Sequence, residues 1–229
     1  FCVDAETGDL VWIFDDSCGG FNTSVALDGD RLYAGDCYGV MWCIDANTGT
    51  ALWNQSIGPY AITTCPAIGY GKVFAGFGNQ GSADPGIVAF DKGNGNILWS
   101  YLTDARPLTA PTVADGMVFA NFLGDLDYIL ALDQNDGAVL WNYTIDDNPC
   151  LTTIPSHSSL AIYDGMLFGG INGAKLYCFG PLPSSESSSV DATCTVSFYL
   201  DNVTEENLIY REFEVFVPAG GSTVVSHDW

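Results

Sequence analysis

The fold is decided by a stretch that reads CIDANTGTALW at residues 43–53, because the same frame occurs four times. The other copies read CVDAETGDLVW at residues 2–12, AFDKGNGNILW at 89–99 and ALDQNDGAVLW at 131–141. All four share Asp-x-x-x-Gly-x-x-x-Trp, and their tryptophans recur 41, 46 and 42 positions apart. An internal period of this length predicts a repeat architecture, in which neighbouring units bury each other's apolar faces.

A second motif, a Gly-centred turn followed by a short apolar strand, recurs in step with the first. It reads DGDRLYAG at residues 28–35, GKVFAG at 71–76, DGMVFA at 115–120 and DGMLFG at 164–169. The turn glycine supplies the positive φ that a tight hairpin needs, and the apolar run is typical of a buried strand. Each repeat is therefore predicted to form four short antiparallel strands. Four strands in roughly 40 residues are the size of one β-propeller blade, so the predicted fold class is all-β.

The residues of the first motif are expected to be structural. The Asp carboxylate ties the turn between the third and fourth strands of a blade, the Gly relaxes that turn, and the Trp packs between blades. The predicted structural set is Asp4, Gly8, Trp12, Asp45, Gly49, Trp53, Asp91, Gly95, Trp99, Asp133, Gly137 and Trp141.

This motif, in the form A-x-D-x-x-T-G-x-x-x-W, resembles the tryptophan-docking motif of the PQQ-like, or quinoprotein-type, propellers. The resemblance covers residues 1–180, and residues 44–53 are among its closest matches. The family includes enzymes that use pyrroloquinoline quinone (PQQ), outer-membrane assembly lipoproteins, and archaeal and bacterial surface proteins that bind no quinone. The resemblance therefore implies a propeller of four-stranded blades and leaves the function open.

Counting strands predicts the domain organisation. Residues 1–180 are expected to be blades, in this order: the outer two strands of one blade, whole blades at about 17–57, 58–105 and 106–145, and the inner three strands of another near 150–180. The resemblance implies seven or eight blades in a closed ring. The chain is therefore expected to be either a fragment or a four-blade ring in which residues 1–16 complete the last blade.

A different kind of sequence follows the repeats. A Ser-rich linker is predicted at residues 181–192, and residues 193–229 alternate apolar and polar as β-strands do. This tail resembles the second half of a CARDB-type cell-adhesion β-sandwich, a domain frequent in archaeal and bacterial surface proteins. The resemblance implies strand edges that pack on the propeller or accept strands from elsewhere, including another copy of the chain.

Charge limits the partners of the chain. Six Lys and Arg stand against 28 Asp and Glu, and the resulting net charge of −22 repels phosphate backbones. Nucleic acid is therefore excluded as a partner. Most of the Asp residues occupy turn-like contexts and are expected to be structural, with halophilic solvation and weak Ca²⁺ binding as the alternatives. No apolar run is long enough to span a bilayer, so no transmembrane segment is predicted in this chain.

Cysteine usage indicates an oxidising compartment. The eight cysteines form no C-x-x-C pair, which favours disulfides over a zinc site or a redox motif. We expect Cys18 to pair with Cys37, because the Asp28-Gly29 hairpin brings their strands together. The complete set of disulfide candidates is Cys2, Cys18, Cys37, Cys43, Cys65, Cys150, Cys178 and Cys194.

Glycosylation sequons point to the same compartment. The four candidates are Asn22, Asn54, Asn142 and Asn202. Asn54 and Asn142 each follow a motif tryptophan directly, which places them at one register in different repeats. We therefore expect an extracellular or cell-surface glycoprotein. Because Phe1 begins inside a repeat, an export signal is expected to precede it.

Sequence motifs for catalysis and cofactor binding are sparse. The GFGNQG stretch at residues 76–81 resembles a dinucleotide loop, but the DPG at 84–86 forbids the helix such a site needs. His157 and His227 belong to no catalytic motif and are expected at the surface. Weak Ca²⁺ binding is considered at residues 125–127 and 133–137, and no other metal or cofactor is expected.

Quinone chemistry is judged against what the resemblance implies. PQQ enzymes of this family commonly hold the cofactor between a Trp and a disulfide of adjacent cysteines, with Ca²⁺, an Asp base and an Arg nearby. This sequence has no adjacent Cys pair, and its only arginines are Arg31, Arg106 and Arg211. We therefore expect a protein that is not an enzyme and has no catalytic or cofactor-binding residues.

Together these observations favour a non-catalytic surface propeller that binds or scaffolds. Its loops are expected to bind a protein or glycan partner, and its C-terminal strands are expected to permit self-assembly. Two alternatives stay open: a fragment of a PQQ-dependent oxidoreductase, and an envelope-assembly factor.

Overall fold

The structure of the protein is a computed structural model. It describes residues 1–15, 20–21, 23–78, 84–107, 109–123, 127–145, 159–163, 165–171, 175–180, 192–197, 212–217 and 223–225. The regular structure of these residues consists of 21 strands, β1 to β21, and includes no helix. Every sheet pairing between these strands is antiparallel. The chain divides into two compact units, Phe1–Leu160 and Ala161–Trp229.

The first unit opens with half of a repeat. Strands β1 (Cys2–Val3) and β2 (Leu10–Trp12) pair with each other and form a two-stranded sheet. The first complete four-stranded sheet follows and contains, in spatial order, β3 (Ala26–Asp28), β4 (Arg31–Gly35), β5 (Val40–Asp45) and β6 (Ala51–Ser56). Because sequence order equals spatial order, each strand pairs with the next one along the chain.

Two further sheets repeat this arrangement. One contains β7 (Ala67–Gly69), β8 (Lys72–Phe77), β9 (Gly86–Asp91) and β10 (Ile97–Leu102). The other contains β11 (Arg106–Pro107) and β12 (Thr112–Ala114), which both pair with β13 (Met117–Leu123), and then β14 (Asp127–Asp133) and β15 (Val139–Ile145). These three sheets lie where the sequence predicts three whole blades.

The middle sheet is buried on both faces. Alternate residues of a strand point to opposite faces, and Val73 and Phe74 of β8 accordingly lie in two different apolar clusters. Both side chains have no exposed surface, so each contributes about 1.5–3 kcal/mol through burial. One cluster contains Tyr33, Met41, Val73, Val88 and Phe90 of the first two complete sheets, and the other contains Phe74, Ile87, Trp99, Val118 and Leu130 of the last two.

The second unit contains a four-stranded sheet and a separate pair. The sheet consists, in spatial order, of β16 (Ala161–Tyr163), β17 (Met166–Ile171), β18 (Lys175–Phe179) and β21 (Thr223–Val225). Strands β19 (Ala192–Ser197) and β20 (Glu212–Val217) pair with each other. The first three strands lie where the inner strands of a blade are predicted, and the fourth comes from the predicted tail.

Candidate functional site

The candidate site is the set of turns built by the Asp-x-x-x-Gly motif. In the turn after β5, Asp45 Oδ1 accepts hydrogen bonds from the backbone N–H groups of Asn47 (3.0 Å) and Thr48 (2.8 Å). These donors, with the Thr48 hydroxyl, lower the pKa of Asp45, and the Thr48 N–H has the largest effect. Gly49 N donates to the Asp45 carbonyl at 2.8 Å and closes the turn at a φ of +70°.

The other three copies of the motif form equivalent turns. Asp4 accepts from the N–H groups of Glu6 and Thr7, which lower its pKa, with the Thr7 bond as the largest cause. Asp91 accepts from Gly93 and Asn94, and Asp133 accepts from Asn135. Their glycines also have positive φ values, namely +77° at Gly8, +78° at Gly95 and +74° at Gly137. The turn is therefore a local structure that each repeat encodes for itself.

In each of the three complete sheets, a tryptophan of the preceding sheet packs on the turn formed by the Asp-x-x-x-Gly motif. Trp53 on β6 lies against Gly95, and a Cβ added to Gly95 would lie 2.5 Å from the Trp53 ring. The Trp53 indole Nε1 donates to the Lys92 carbonyl at 3.2 Å. The ring thus covers the glycine while its N–H satisfies a turn carbonyl, which couples two sheets through a single side chain.

The same contact joins the neighbouring repeats. A Cβ built on Gly49 would lie 2.7 Å from the Trp12 ring, and the Trp12 indole donates to the Ala46 carbonyl at 2.9 Å. A Cβ built on Gly137 would likewise lie 2.7 Å from the Trp99 ring, and the Trp99 indole donates to the Gln134 carbonyl at 3.1 Å. A tryptophan also contacts an aromatic ring of its own sheet, at centroid distances of 5.9 Å for Trp53 with Tyr33, 5.8 Å for Trp99 with Phe74 and 6.0 Å for Trp141 with Phe119. Gly8 has a φ similar to that of the other turn glycines, yet no heavy atom of the described residues lies within 4 Å of a Cβ built on it.

Polar side chains reinforce these junctions, and the sequence analysis did not find them. Lys92, whose carbonyl accepts from Trp53, extends its ammonium group to Asp28 Oδ2 of the preceding sheet at 2.5 Å. Lys72 reaches Gln134 Oε1 of the following sheet, also at 2.5 Å. The sequence feature that could have drawn attention to these two lysines is the scarcity of cationic residues, because the chain has only six Lys and Arg.

A buried carboxylate was also missed. Asp36, which directly follows β4, is only 1% exposed and accepts hydrogen bonds from Tyr38 N (2.9 Å) and Val40 N (2.8 Å). Its second oxygen accepts from the Trp42 indole at 2.9 Å, and Phe14 packs edge-on against Trp42. Trp42 lies outside the repeat frame, so its role could be found only by asking which group satisfies Asp36.

The cysteine candidates are distributed over several strands. Among the described residues, Cys2, Cys37, Cys43 and Cys65 form no disulfide with one another, and burial raises the pKa of Cys43 and of Cys65, which lowers the fraction of these two side chains present as thiolate. Burial, with a contribution from the neighbouring Cys43, also raises the pKa of Tyr33 to about 12. Cys18 and Cys150 lie outside the described residues, and the disulfide pairing of Cys18 with Cys37 stays a prediction. Cys178 and Cys194 lie on β18 and β19.

Two of the four sequon asparagines are exposed on outer strands. Asn54 lies on β6 opposite Trp42, and Asn142 lies on β15 opposite Leu130. Asn22 and Asn202 lie outside the described residues. Glycosylation at these four positions stays a prediction.

The described residues do not fit a quinone and Ca²⁺. In these ranges no three His, Cys, Asp or Glu side chains come together in a group that could hold a metal ion. In the Asp133 turn, one carboxylate oxygen of Asp133 accepts from the Asn135 N–H and one of Asp136 accepts from the Ala138 N–H. Arg31 lies beside the buried Tyr33 and Cys43. Arg106 lies on β11. Residues 79–83 of the glycine-rich loop, Asp125, His157, Arg211 and His227 lie outside the described residues. Among the described residues, no helix is long and apolar enough to cross a membrane.

Comparison with known proteins identifies a matching family and curated relatives. A family model of the outer membrane protein assembly factor BamB matches residues 1–110 and 71–228. A curated relative, the quinohemoprotein alcohol dehydrogenase ADH IIB of Pseudomonas putida, is 34% identical over an alignment of 116 residues, and the match covers 44% of this chain and 17% of that protein. The chain therefore spans about a sixth of the length of this relative.

Two solved structures share the fold. BamB from Moraxella catarrhalis superposes with a TM-score of 0.63 at 20% identity, covering 75% of this chain and 53% of that chain. The quinohemoprotein alcohol dehydrogenase from Comamonas testosteroni also gives 0.63, at 19% identity, covering 78% and 38%. Together with the four-stranded antiparallel sheets, these likenesses confirm the predicted β-propeller fold.

Two expectations from the sequence are wrong. A non-enzyme was expected, but the curated relative is named an alcohol dehydrogenase. A protein without a cofactor, apart from weakly bound Ca²⁺, was expected, but that relative is named a quinohemoprotein. The relatives support the two alternatives, an oxidoreductase and an envelope-assembly factor, better than they support a non-catalytic surface scaffold. The expectations rested on the absence of quinone-binding residues from a chain that spans only part of the length of this relative.

Proposed function

The chain belongs to the PQQ-like repeat family of the outer membrane protein assembly factor BamB, and from this premise we propose that its sheets are blades of a quinone-dependent alcohol oxidoreductase. The observation that carries the proposal is the 34% identity to a quinohemoprotein alcohol dehydrogenase over 116 residues. This identity extends well beyond a single blade. The alcohol class of substrate is taken from the name of that relative.

In this proposal the described residues supply the rigid frame of the enzyme. The three indole-on-glycine contacts fix each sheet against the next, and the ion pair of Lys92 with Asp28 adds a polar link at one of these junctions. A frame of this kind holds loops in fixed positions, as reacting groups require. Because the described residues do not fit a quinone, the proposal assigns cofactor binding to other parts of the enzyme, and no reaction step is assigned to this chain.

Dye reduction tests this function. The protein purified from its source would be incubated with PQQ and Ca²⁺, and reduction of an artificial electron acceptor would be followed with short primary alcohols as substrates. We expect reduction that depends on alcohol, on PQQ and on Ca²⁺, and that is lost on chelation with EDTA. The 229-residue chain expressed alone is the matched control and is expected to be inactive. No activity in the source protein at any alcohol or metal concentration would contradict the proposal.

An envelope-assembly factor is the second candidate. Its specific support is the superposition with BamB, which covers 75% of this chain, together with the family match. This candidate predicts that cells lacking the protein have lowered levels of outer-membrane proteins, while the purified protein reduces no dye. Unchanged levels of outer-membrane proteins would exclude it.

Several finer features belong to the same proposal. We propose that the protein acts outside the cytoplasm, which the eight cysteines and four sequons support. A protein partner is favoured by the BamB likeness, whereas a glycan partner and self-assembly rest on the sequence alone.

The division into blades at 1–180, a linker at 181–192 and a CARDB-like tail at 193–229 likewise rests on the sequence. Peptide mapping under non-reducing conditions, with and without deglycosylation, tests the disulfides and the glycans together.

A further inference from the structure

The sheet of the second unit obtains its fourth strand in an unusual way. In the first complete sheet the third strand ends at Asp45 and the fourth begins at Ala51, after one tight turn. In the second unit the third strand, β18, ends at Phe179, and the strand beside it, β21, begins at Thr223. The strand order and the antiparallel direction are nevertheless the same as in the other blades. The fourth position is therefore filled from a distant part of the chain.

The register shows which repeat position β21 occupies. In the first complete sheet Cys43 lies between Tyr33 and Trp53, and in the second unit Cys178 lies between Phe168 and Thr223. Thr223 thus stands at the register position of the docking tryptophan. The sequence after Phe179 agrees, because it lacks the Asp-x-x-x-Gly-x-x-x-Trp frame that joins the third and fourth strands elsewhere. This blade has no indole at that position to place on a following blade.

We propose that Thr223–Val225 is the closing strand of the blade formed by β16, β17 and β18, and that it caps the β18 edge against pairing with other chains. An open strand edge presents unpaired N–H and C=O groups, which makes it a template for association with another strand. The occupant of this edge is the chain's own C-terminal strand. The proposal goes beyond the proposed function and does not depend on it.

The closing strand β21 is short, so it can detach from β18 at a low cost in free energy. β21 contains three residues, whereas the outer strands β6 and β10 contain six each and β15 contains seven. Fewer ladder hydrogen bonds lower the free energy of local opening. β18 and β21 belong to one chain, so their pairing is intramolecular, whereas pairing with the strand of a second copy depends on protein concentration. At low protein concentration the chain's own strand is therefore expected to outcompete that of a second copy.

Cysteine cross-linking tests which strand occupies the edge. Leu176 and Val225 are direct Cα partners, and opposed residues in an antiparallel pair lie within the range that a disulfide spans. We expect the L176C/V225C variant to form this disulfide within one chain upon oxidation, as identified by peptide mapping. The off-register variant L176C/V224C is the matched control, because neighbouring residues of a strand point to opposite faces. No L176C/V225C bond, or one found only between chains, would overturn the proposal.

Removal of the strand tests the capping role. A chain ending at Val217 is expected to show at least a doubling of weight-average mass in light scattering as concentration rises, whereas the 229-residue chain does not. A peptide of residues 218–229 should reverse this association, and the same peptide carrying V224P should not, because proline cannot donate to the ladder. The V224P variant of the 229-residue chain should associate as the truncated chain does. If both altered chains keep the mass of the unaltered one at all concentrations, the capping role is refuted.

Discussion

The indole of Trp53 lies on Gly95 so closely that a Cβ at this glycine would come within 2.5 Å of the ring, while the indole N–H bonds the Lys92 carbonyl of the same turn. Gly95 is needed for two separate reasons. Its φ of +78° disfavours any residue with a Cβ, and the indole occupies the space that a Cβ would take. This relationship holds two sheets together, and it occurs three times among the described residues.

The two demands on the glycine can be separated by comparing Gly95 with Gly8. Both have φ near +78°, but within the described part of the chain only Gly95 is covered by an indole. We expect G8A to lower the free energy of unfolding by about 1–2 kcal/mol through backbone strain alone. G95A should cost about 1–3 kcal/mol more, because the ring must move. Urea unfolding followed by far-UV circular dichroism measures both, and equal losses would show that the indole contact adds nothing.

The docking tryptophan contributes both packing and a hydrogen bond. Trp99 is 8% exposed, so W99A should destabilise by about 3–5 kcal/mol. W99F keeps an aromatic ring and loses the bond to the Gln134 carbonyl, which should cost about 1–3 kcal/mol. The neighbouring Leu98 is 45% exposed, and L98A is expected to cost less than about 1 kcal/mol. Thermal unfolding ranks the three variants, and a cost for L98A as large as that for W99A would contradict the role of the indole.

Asp36 is expected to behave as a buried structural acceptor. The D36A variant leaves the N–H groups of Tyr38 and Val40 and the Trp42 indole without their acceptor, and should destabilise by about 2–4 kcal/mol. D36N retains one acceptor oxygen and should cost less. Asp84 is exposed, so D84A is the control and should change stability by less than about 0.5 kcal/mol. Urea midpoints compare these variants, and a D36A midpoint equal to that of D84A would disprove this role.

The turn carboxylates make stability depend on acid pH. Hydrogen bonds from backbone N–H groups hold the pKa of Asp45 in the folded protein below the ordinary value of 3.8. The contribution of the ionised Asp45 carboxylate to the free energy of unfolding is therefore fully present above pH 3.8, and it is lost as pH falls through the lower pKa of the folded protein. D45N lacks this titration, so the stability difference between the unaltered protein and D45N should shrink as pH falls from 6 to 2. Urea unfolding across this range measures the difference, and one that is constant or grows in acid would contradict the assignment.

The extent to which the sequence predicted this structure differs from feature to feature. The turns at Asp45 and Asp91 were predictable because their hydrogen bonds join residues two or three apart, so the motif contains every group involved. The period of the tryptophans then predicted the sheets and their order. These features are encoded locally and repeated, which makes a pattern visible in a single sequence.

Long-range pairings were not predictable in the same way. The Lys92 ion pair with Asp28 and the bond from Trp42 to Asp36 depend on which strands become neighbours, and no local motif records them. The pairing of β18 with β21 joins segments more than 40 residues apart and replaces a turn that the repeat frame would predict. The expectations of a non-enzyme and of no cofactor were wrong for a related reason, since the absence of quinone-binding residues carries little weight in a chain that spans 17% of a relative's length.

Native mass spectrometry of the protein purified from its source tests the central claim most directly, namely that these blades belong to a quinone-dependent oxidoreductase. After incubation with PQQ and Ca²⁺, the account predicts a species heavier by one quinone and bound Ca²⁺, which disappears on chelation. The isolated 229-residue chain under the same conditions should remain unliganded. A source protein that keeps its unliganded mass at saturating PQQ and Ca²⁺ would contradict the claim and leave the envelope-assembly factor as the better account.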